Sequence, residues 1–299
     1  MPELREVMSR FSSEEGVARG LAFEPRPTDV FVATYPKCGT TLMQQIVHGL
    51  RTGGDLDFED ISAVVPWLEL AFDLGIDPTT EQRANPRAFK THLDRGSLPL
   101  GGRSIYVLRD PDAALVSFYH FFSGWFFEPG AIDLERFALD FVLSRSGRGD
   151  YWEHLVSWWP ARRDPQVLYL FYEDVVADLE ACVRRVAAFI DLAAEQDLDE
   201  AALEARIEIA TRQSSMEFMR RHPTLWEDRL ICEKRNAVMG LPSDAKSTKV
   251  SREGDRPGAR ESTQRVLDAW RARWAETVEP VTGCRDYEAL RQRVSSDLG

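Results

Sequence analysis

What the chain lacks narrows its chemistry before any motif is considered. Its 299 residues hold four cysteines, at 38, 182, 232 and 284, and none stands in C-x-x-C spacing. Neither a zinc site nor a disulfide framework is therefore expected, and the four read as reduced thiols. The five histidines show no H-E-x-x-H or similar metal-ligand spacing, so no metal is expected either. No apolar run approaches the roughly 20 residues needed to cross a bilayer, and no membrane partner is expected. The opening "MPELREVMSRFSSEEG" carries acidic residues and no long apolar stretch. It is not expected to be a signal peptide, and a cytoplasmic location is. Positive charge is also short, with a formal net charge of −12, which argues against a nucleic-acid partner needing a basic face. Any anion site must be local.

What is present suits a packed core, with 43% apolar residues. After a polar segment at 1–27, short β-rich runs alternate with helix-period segments, the βαβ pattern of an α/β fold whose central parallel sheet is flanked by helices. Strands are predicted in "DVFVATY", "RAFKTHL", "RSIYVLRD" and "QVLYLFYED". Leu42, Met43, Ile46, Val47 and Leu50 share one helical face, as do Leu179, Val183, Val186, Ala187 and Ile190. The acidic "AAEQDLDEAALEAR" reads as a solvated helix start. Residues 244–265 hold six basic and four acidic residues with almost nothing apolar. They read as a long mobile loop, a functional lid or simply disordered chain. An amphipathic helix near "TQRVLDAWRARWAETV" is expected to close the chain.

Three strand ends carry chemistry. "TYPKCGTT" (34–41) follows the apolar run Val30 to Ala33. A strand passing through a glycine turn into a helix aims backbone N–H groups and the positive helix end at one spot, which suits a phosphate. Lys37 would add charge, Gly39 close approach, and Thr40 and Thr41 hydroxyl donors. A plain turn that happens to carry a lysine is the alternative. The Walker pattern is absent, because Lys37 precedes the glycine. In "KTHL", Lys90 and His92 share a strand face. A histidine beside a lysine resists protonation and is a candidate general base, although lone histidines are more often structural. In "YVLRDPDAALVSFYHFF", Asp110 is suited to cap a helix and Pro111 to start it. Arg109 and Ser117 could then grip a second phosphate, or Arg109 could satisfy a neighbouring helix end. The aromatics of "SFYHFFSGWFFEPG" and "VVPWLELAFDLG" fit core packing or an apolar acceptor pocket.

Together these stretches resemble the cytosolic-type sulfotransferases, which use 3′-phosphoadenosine 5′-phosphosulfate (PAPS). "TYPKCGTTL", "KTHL", "RDPDAALVSFYHF", "FYED" and "REGDRPG" match, in order, five motifs of that family. The resemblance implies a single P-loop-like domain over 1–299. It implies that Lys37, Gly39, Thr40 and Thr41 hold the 5′-phosphosulfate, while Arg109 and Ser117 hold the 3′-phosphate. His92 matches the family's catalytic base and Lys90 its companion. Tyr172, Ser214 and Met216 would flank the adenine, and Arg252 and Gly254 match the loop that closes over the 3′-phosphate. Several donor-site positions depart from the family: Cys38 stands for a serine, Leu42 for a stacking tryptophan, Glu253 for a lysine, Ser214 for the usual threonine and Ala259 for a later loop tryptophan, so weaker donor binding is expected. The family's dimer motif finds no support near "ARESTQRV", which leaves the oligomeric state open.

The implied reaction is transfer of a sulfuryl group to a hydroxyl or amine of a small, lipophilic acceptor. Two competitors stand beside it. One is a P-loop kinase using ATP and magnesium, with "YED" as its metal carboxylate; the other is a nucleotide-binding protein without activity.

Overall fold

The computed structural model describes residues 2–143, 149–247 and 262–298. Its sheet has four strands: β1 (Val30–Thr34), β2 (Ala88–Thr91), β3 (Arg103–Leu108) and β4 (Val167–Phe171). They lie in the order β2-β1-β3-β4, every neighbouring pair parallel. All five residues of β1 are buried, as a central strand covered on both faces must be. The two-residue period sorts its side chains between two cores. Val30 and Val32 pack with Ile46, Val47 and Leu50 of helix Thr40–Thr52, and with Val183 and Val186 of helix Leu179–Phe189. Phe31 and Ala33 point the other way, into an aromatic-rich cluster with Phe89, Tyr106 and Trp158. The expected α/β architecture and both predicted helical faces are present, apart from Leu42 and Leu179, which are only partly buried.

The sheet order locates the site. The chain leaves β1 for β2 on one side and reaches β3 on the other, so the crevice beyond the carboxyl ends of β1 and β3 is a topological switch point, where α/β folds bind ligands. At the amino ends of β1 and β2, opposite the crevice, a buried ion pair ties the two strands together. Arg87 grips Asp29 through two hydrogen bonds of 2.8 and 2.6 Å, with both side chains buried.

Several expectations need correction. The run "QVLYLFYED" stops being strand at Phe171, and Tyr172–Ala177 is helical. Glu173 and Asp174 in its first turn complement the positive helix end. The acidic stretch after 192 divides into helices Leu192–Gln196 and Glu200–Ser214. Asp199 starts the second by accepting the Ala202 N–H at 2.8 Å. Helix Gln264–Thr277 forms as expected but does not close the chain, because Glu279–Thr282 and Tyr287–Leu298 follow. Within the polar N-terminal segment, residues Pro2–Ser9 and Glu14–Leu21 are helical. Most of the expected loop, residues 248–261, lies outside the described residues. Among the described residues no helix is long and apolar enough to cross a membrane.

Candidate active site

β1 runs through Tyr35 and Pro36 into a turn where Lys37 and Gly39 both adopt positive φ, 71° and 97°. Gly39 then caps helix Thr40–Thr52 with no side-chain hydrogen bond to the first turn. Helix-start N–H groups without a capping side chain suit an anion. Glycine is required here twice over. Its φ is one that side chains resist, and a Cβ would stand 2.7 Å from the Tyr172 ring. Beneath the turn, the Thr34 and Thr40 hydroxyls share a buried 2.6 Å hydrogen bond.

The end of β3 completes the crevice. Asp110 caps helix Pro111–Phe122 by accepting the Asp112 and Ala113 N–H groups, with Pro111 in the first turn, as expected. Arg109 lies over the Tyr172 ring at 4.5 Å and donates to the Lys37 carbonyl at 3.1 Å. This joins the two loops. Tyr151 in turn donates to the Arg109 carbonyl at 2.6 Å. Glu173 accepts the Asp110 N–H and the Tyr287 hydroxyl, and Asp174 pairs with Arg291. The carboxylates of "YED" are thus committed to holding the fold.

Across the crevice, past the end of β2, His92 Nδ1 donates to the Thr34 carbonyl at 2.8 Å. That bond fixes the tautomer and leaves the acceptor lone pair on Nε2. Glu69, buried, accepts the His92 backbone N–H at 2.9 Å, and burial raises its carboxyl above the ordinary range. Trp67 meets the imidazole edge-on, 4.9 Å between centroids, and lies under the Lys90 ammonium at 4.0 Å. Lys37 similarly sits over the Phe121 ring at 4.2 Å.

One cavity of about 520 Å³ joins these groups. Lys37, Gly39, Thr40, Thr41, Leu42, Lys90, His92, Arg109, Ser117, Tyr172 and Met216 all line it. Cys38 and Ser214 do not. The Cys38 thiol is wholly buried in the core under the turn, and that burial pushes it up to about 12. Its replacement of a serine therefore costs no donor facing the cavity. Ser214 is buried at the end of its helix. Arg252, Glu253 and Gly254 fall outside the described residues. The aromatic stretches serve core and cavity at once, since Phe118, Phe122, Trp125 and Phe126 belong to the core and also line the cavity.

The sequence reading missed Met8, Phe11, Glu69 and His154 as lining residues. His154 is held by the Leu93 carbonyl and the Tyr106 hydroxyl, a structural pairing. The available signal for Glu69 was a carboxylate set among apolar residues two positions after the quoted Trp67. No local signal marked Met8 or Phe11.

The sulfotransferase domain family model matches residues 27–252. The mouse sulfotransferase 1 family member D1 is 31% identical over 214 residues, covering 68% of this chain and 70% of its own. Among solved structures, mouse sulfotransferase SULT7A1 complexed with PAP shares the fold with a TM-score of 0.64 at 20% identity, over 96% of this chain and 95% of that one. Retinol dehydratase in complex with androsterone and the inactive cofactor PAP gives 0.62 at 22% identity, over 88% and 83%. The chain belongs to the sulfotransferase family, enzymes that move a sulfuryl group from PAPS to a small acceptor.

Proposed function

We propose that this chain transfers the sulfuryl group of PAPS to the hydroxyl of a small, lipophilic acceptor, with an amine as the second acceptor class. The observation that carries the reading is the placement of Lys37, Lys90, His92 and Arg109 around one cavity whose wall also holds Trp67, Phe118, Phe121 and Trp125. The uncapped helix start behind Gly39 fits a phosphate. A protein of this fold, retinol dehydratase, has been solved with androsterone and PAP together, in keeping with a lipophilic acceptor.

Bound there, the donor supplies an activated sulfur whose bond to the bridging phosphate oxygen breaks as the acceptor oxygen bonds to it. The residues do the rest. His92 receives the acceptor's proton on Nε2, the nitrogen opposite its bond to Thr34. Lys37 and the first-turn N–H groups neutralise charge gathering on the departing phosphate. Lys90 stands on the same side as His92 to offset charge on the sulfuryl oxygens. Arg109 and Ser117 hold the 3′-phosphate; Tyr172 and Met216 flank the adenine. The aromatic wall excludes water and aligns the acceptor. The four buried, free cysteines suit a reducing, cytoplasmic setting.

Calorimetric titration with adenosine 3′,5′-bisphosphate, beside ATP with magnesium, tests the donor half on wild type and Lys37→Ala. Selective bisphosphate binding, weakened about tenfold or more in the variant, is expected. A preference for ATP, or binding indifferent to Lys37, would refute it.

A further inference from the structure

A second cavity, of about 660 Å³, lies outside this site, and the two have no lining residue in common. Its floor is apolar, made of Phe58, Val64, Pro66, Ile76 and Leu230. His48 and Trp226, both fully buried, meet the Phe58 ring edge-on at 5.1 and 6.0 Å. The Val64 carbonyl accepts from the buried Arg51 guanidinium at 2.6 Å. Gln82, on the same wall, exchanges hydrogen bonds of 2.9 and 3.0 Å with the backbone of Ala88 in β2. A hollow whose floor is fixed in this way is preformed, and its size is usual for a small-molecule site.

The rim has the opposite character. Asp57, Glu59, Asp77, Glu81 and Glu233 stand exposed around it, against the guanidiniums of Arg83 and Arg229. Both guanidiniums are already engaged, Arg83 with Asp55 at 2.9 Å, and Arg229 with Glu233 at 2.8 Å and Glu59 at 3.7 Å. Glu81 pairs with Arg26, outside the cavity. Among the described residues, Asp57 and Asp77 have no ion pair; Asp77 accepts only from the Thr79 N–H at 2.9 Å and hydroxyl at 2.7 Å. An apolar bed beneath uncompensated negative charge complements an organic cation with a hydrophobic body. The same charge repels a phosphate, so this cavity is no second donor site.

The two cavities lie back to back across two pieces of chain. Val64 and Pro66 line the second and Trp67 and Glu69 the first; likewise Arg229 and Leu230 line the second and Asp228 the first. Lys90 fastens the first piece to the sheet. Its N–H donates to the Pro66 carbonyl at 2.8 Å, and its carbonyl accepts the Leu68 N–H at 2.9 Å. The buried Asp60 carboxylate holds the second piece by accepting the Leu230 N–H at 3.0 Å. We propose that the second cavity is an effector site for a small aryl-alkyl amine in its cationic form, whose occupancy is felt at Lys90 through Pro66. The ring of the amine lies on the floor with Phe58, and its charge is turned toward Asp57 and Asp77. A ligand seated against Pro66 bears on the hydrogen bonds that set the Lys90 backbone, which gives the two sites a physical link.

Benzyltrimethylammonium is the probe, because it carries the ring and the charge but no atom that can take a sulfuryl group. The full-length protein, Ala63→Phe and the double variant Asp57→Asn/Asp77→Asn are each titrated calorimetrically with it, and with N-benzylacetamide as the neutral comparator. All three positions line the second cavity and are exposed, so adenosine 3′,5′-bisphosphate affinity should stay within about twofold throughout. Wild type should bind the cation at least about fivefold more tightly than the neutral compound. Ala63→Phe, which fills the cavity, should weaken the cation about tenfold or more, and the double variant at least about threefold. Saturating cation should change kcat for 2-naphthol with PAPS at least about twofold in wild type and leave it unchanged in Ala63→Phe. Binding that is absent, or equal in wild type and Ala63→Phe, overturns the site. Binding as expected with wild-type kcat unchanged overturns the link to Lys90. The binding arm does not depend on sulfuryl transfer, so a wild type that takes up the cation but no bisphosphate overturns the proposed function and leaves the second site standing.

Discussion

The two ends of the cavity are assembled in different ways. At the end proposed for the donor, the lining residues come mainly from two short stretches, 37–42 and 109–117, each a strand end running into a helix. Much of that end is backbone: Gly39 at φ 97°, the first turn of helix Thr40–Thr52, and the Lys37 carbonyl tied to Arg109. At the end proposed for the acceptor, the wall is side chain, drawn from Met8, Phe11, Trp67, Phe118, Phe121 and Trp125. A backbone anion site tolerates little change in a few adjacent positions, because its geometry depends on φ and on close approach. A side-chain wall can be rebuilt ring by ring without disturbing the sheet.

The strongest challenge to the separation is His92, which stands between the ends. His92→Ala should lower kcat by on the order of 10²-fold or more, the usual size of an acid–base contribution, while bisphosphate affinity stays near wild type. Rapid-quench turnover with PAPS, paired with calorimetry, measures both. A parallel fall in bisphosphate affinity would show that the two ends are coupled through the Thr34 carbonyl. Next in size is Gly39→Ala. The positive φ and the 2.7 Å approach to Tyr172 together should cost about 2 kcal/mol at the cradle, read as a bisphosphate Kd raised roughly thirtyfold. Acceptor KM should barely move, and a larger acceptor effect would break the comparison.

An effect of similar size, on stability rather than binding, concerns the helix beneath the cradle. His48 is held down to about 3 chiefly by burial, with Arg51 adding to the effect and Asp55 opposing it. Because its folded value lies below the ordinary value of 6.5, the stability it contributes is present above that value and is lost as pH falls toward 3. Between pH 7 and 5 the loss should be about 2 kcal/mol. Urea denaturation at both pH values, on wild type and His48→Gln, should show the difference shrinking by that amount in the variant. An equal difference in both would remove His48 as its source.

Much of the donor end was legible locally. "TYPKCGTT" and "RDPD" state their own turn, cap and helix start, and the fold adds mainly their juxtaposition at the switch point. Cys38 was the exception, since its position within the motif suggested a group facing the ligand and packing turned it into the core. Ser214 followed the same course at a helix end. The helix at Tyr172–Ala177 was hidden because an apolar run ending in "YED" reads equally well as strand or helix start.

The sequence by itself determined the alternation of strand and helix, the glycine turn after β1, the capped helix after β3 and the family. These depend on propensity, period and short spacings, which act over a few residues. Only the tertiary structure decided which aromatics are wall as well as core, that Trp67 lies between Lys90 and His92, and that residues 2–22 reach the cavity. Those contacts join residues far apart in sequence, such as Phe11 and Arg235, and no local preference specifies them. They form because the sheet, once built, leaves one apolar crevice, and burying rings there removes the most surface from water.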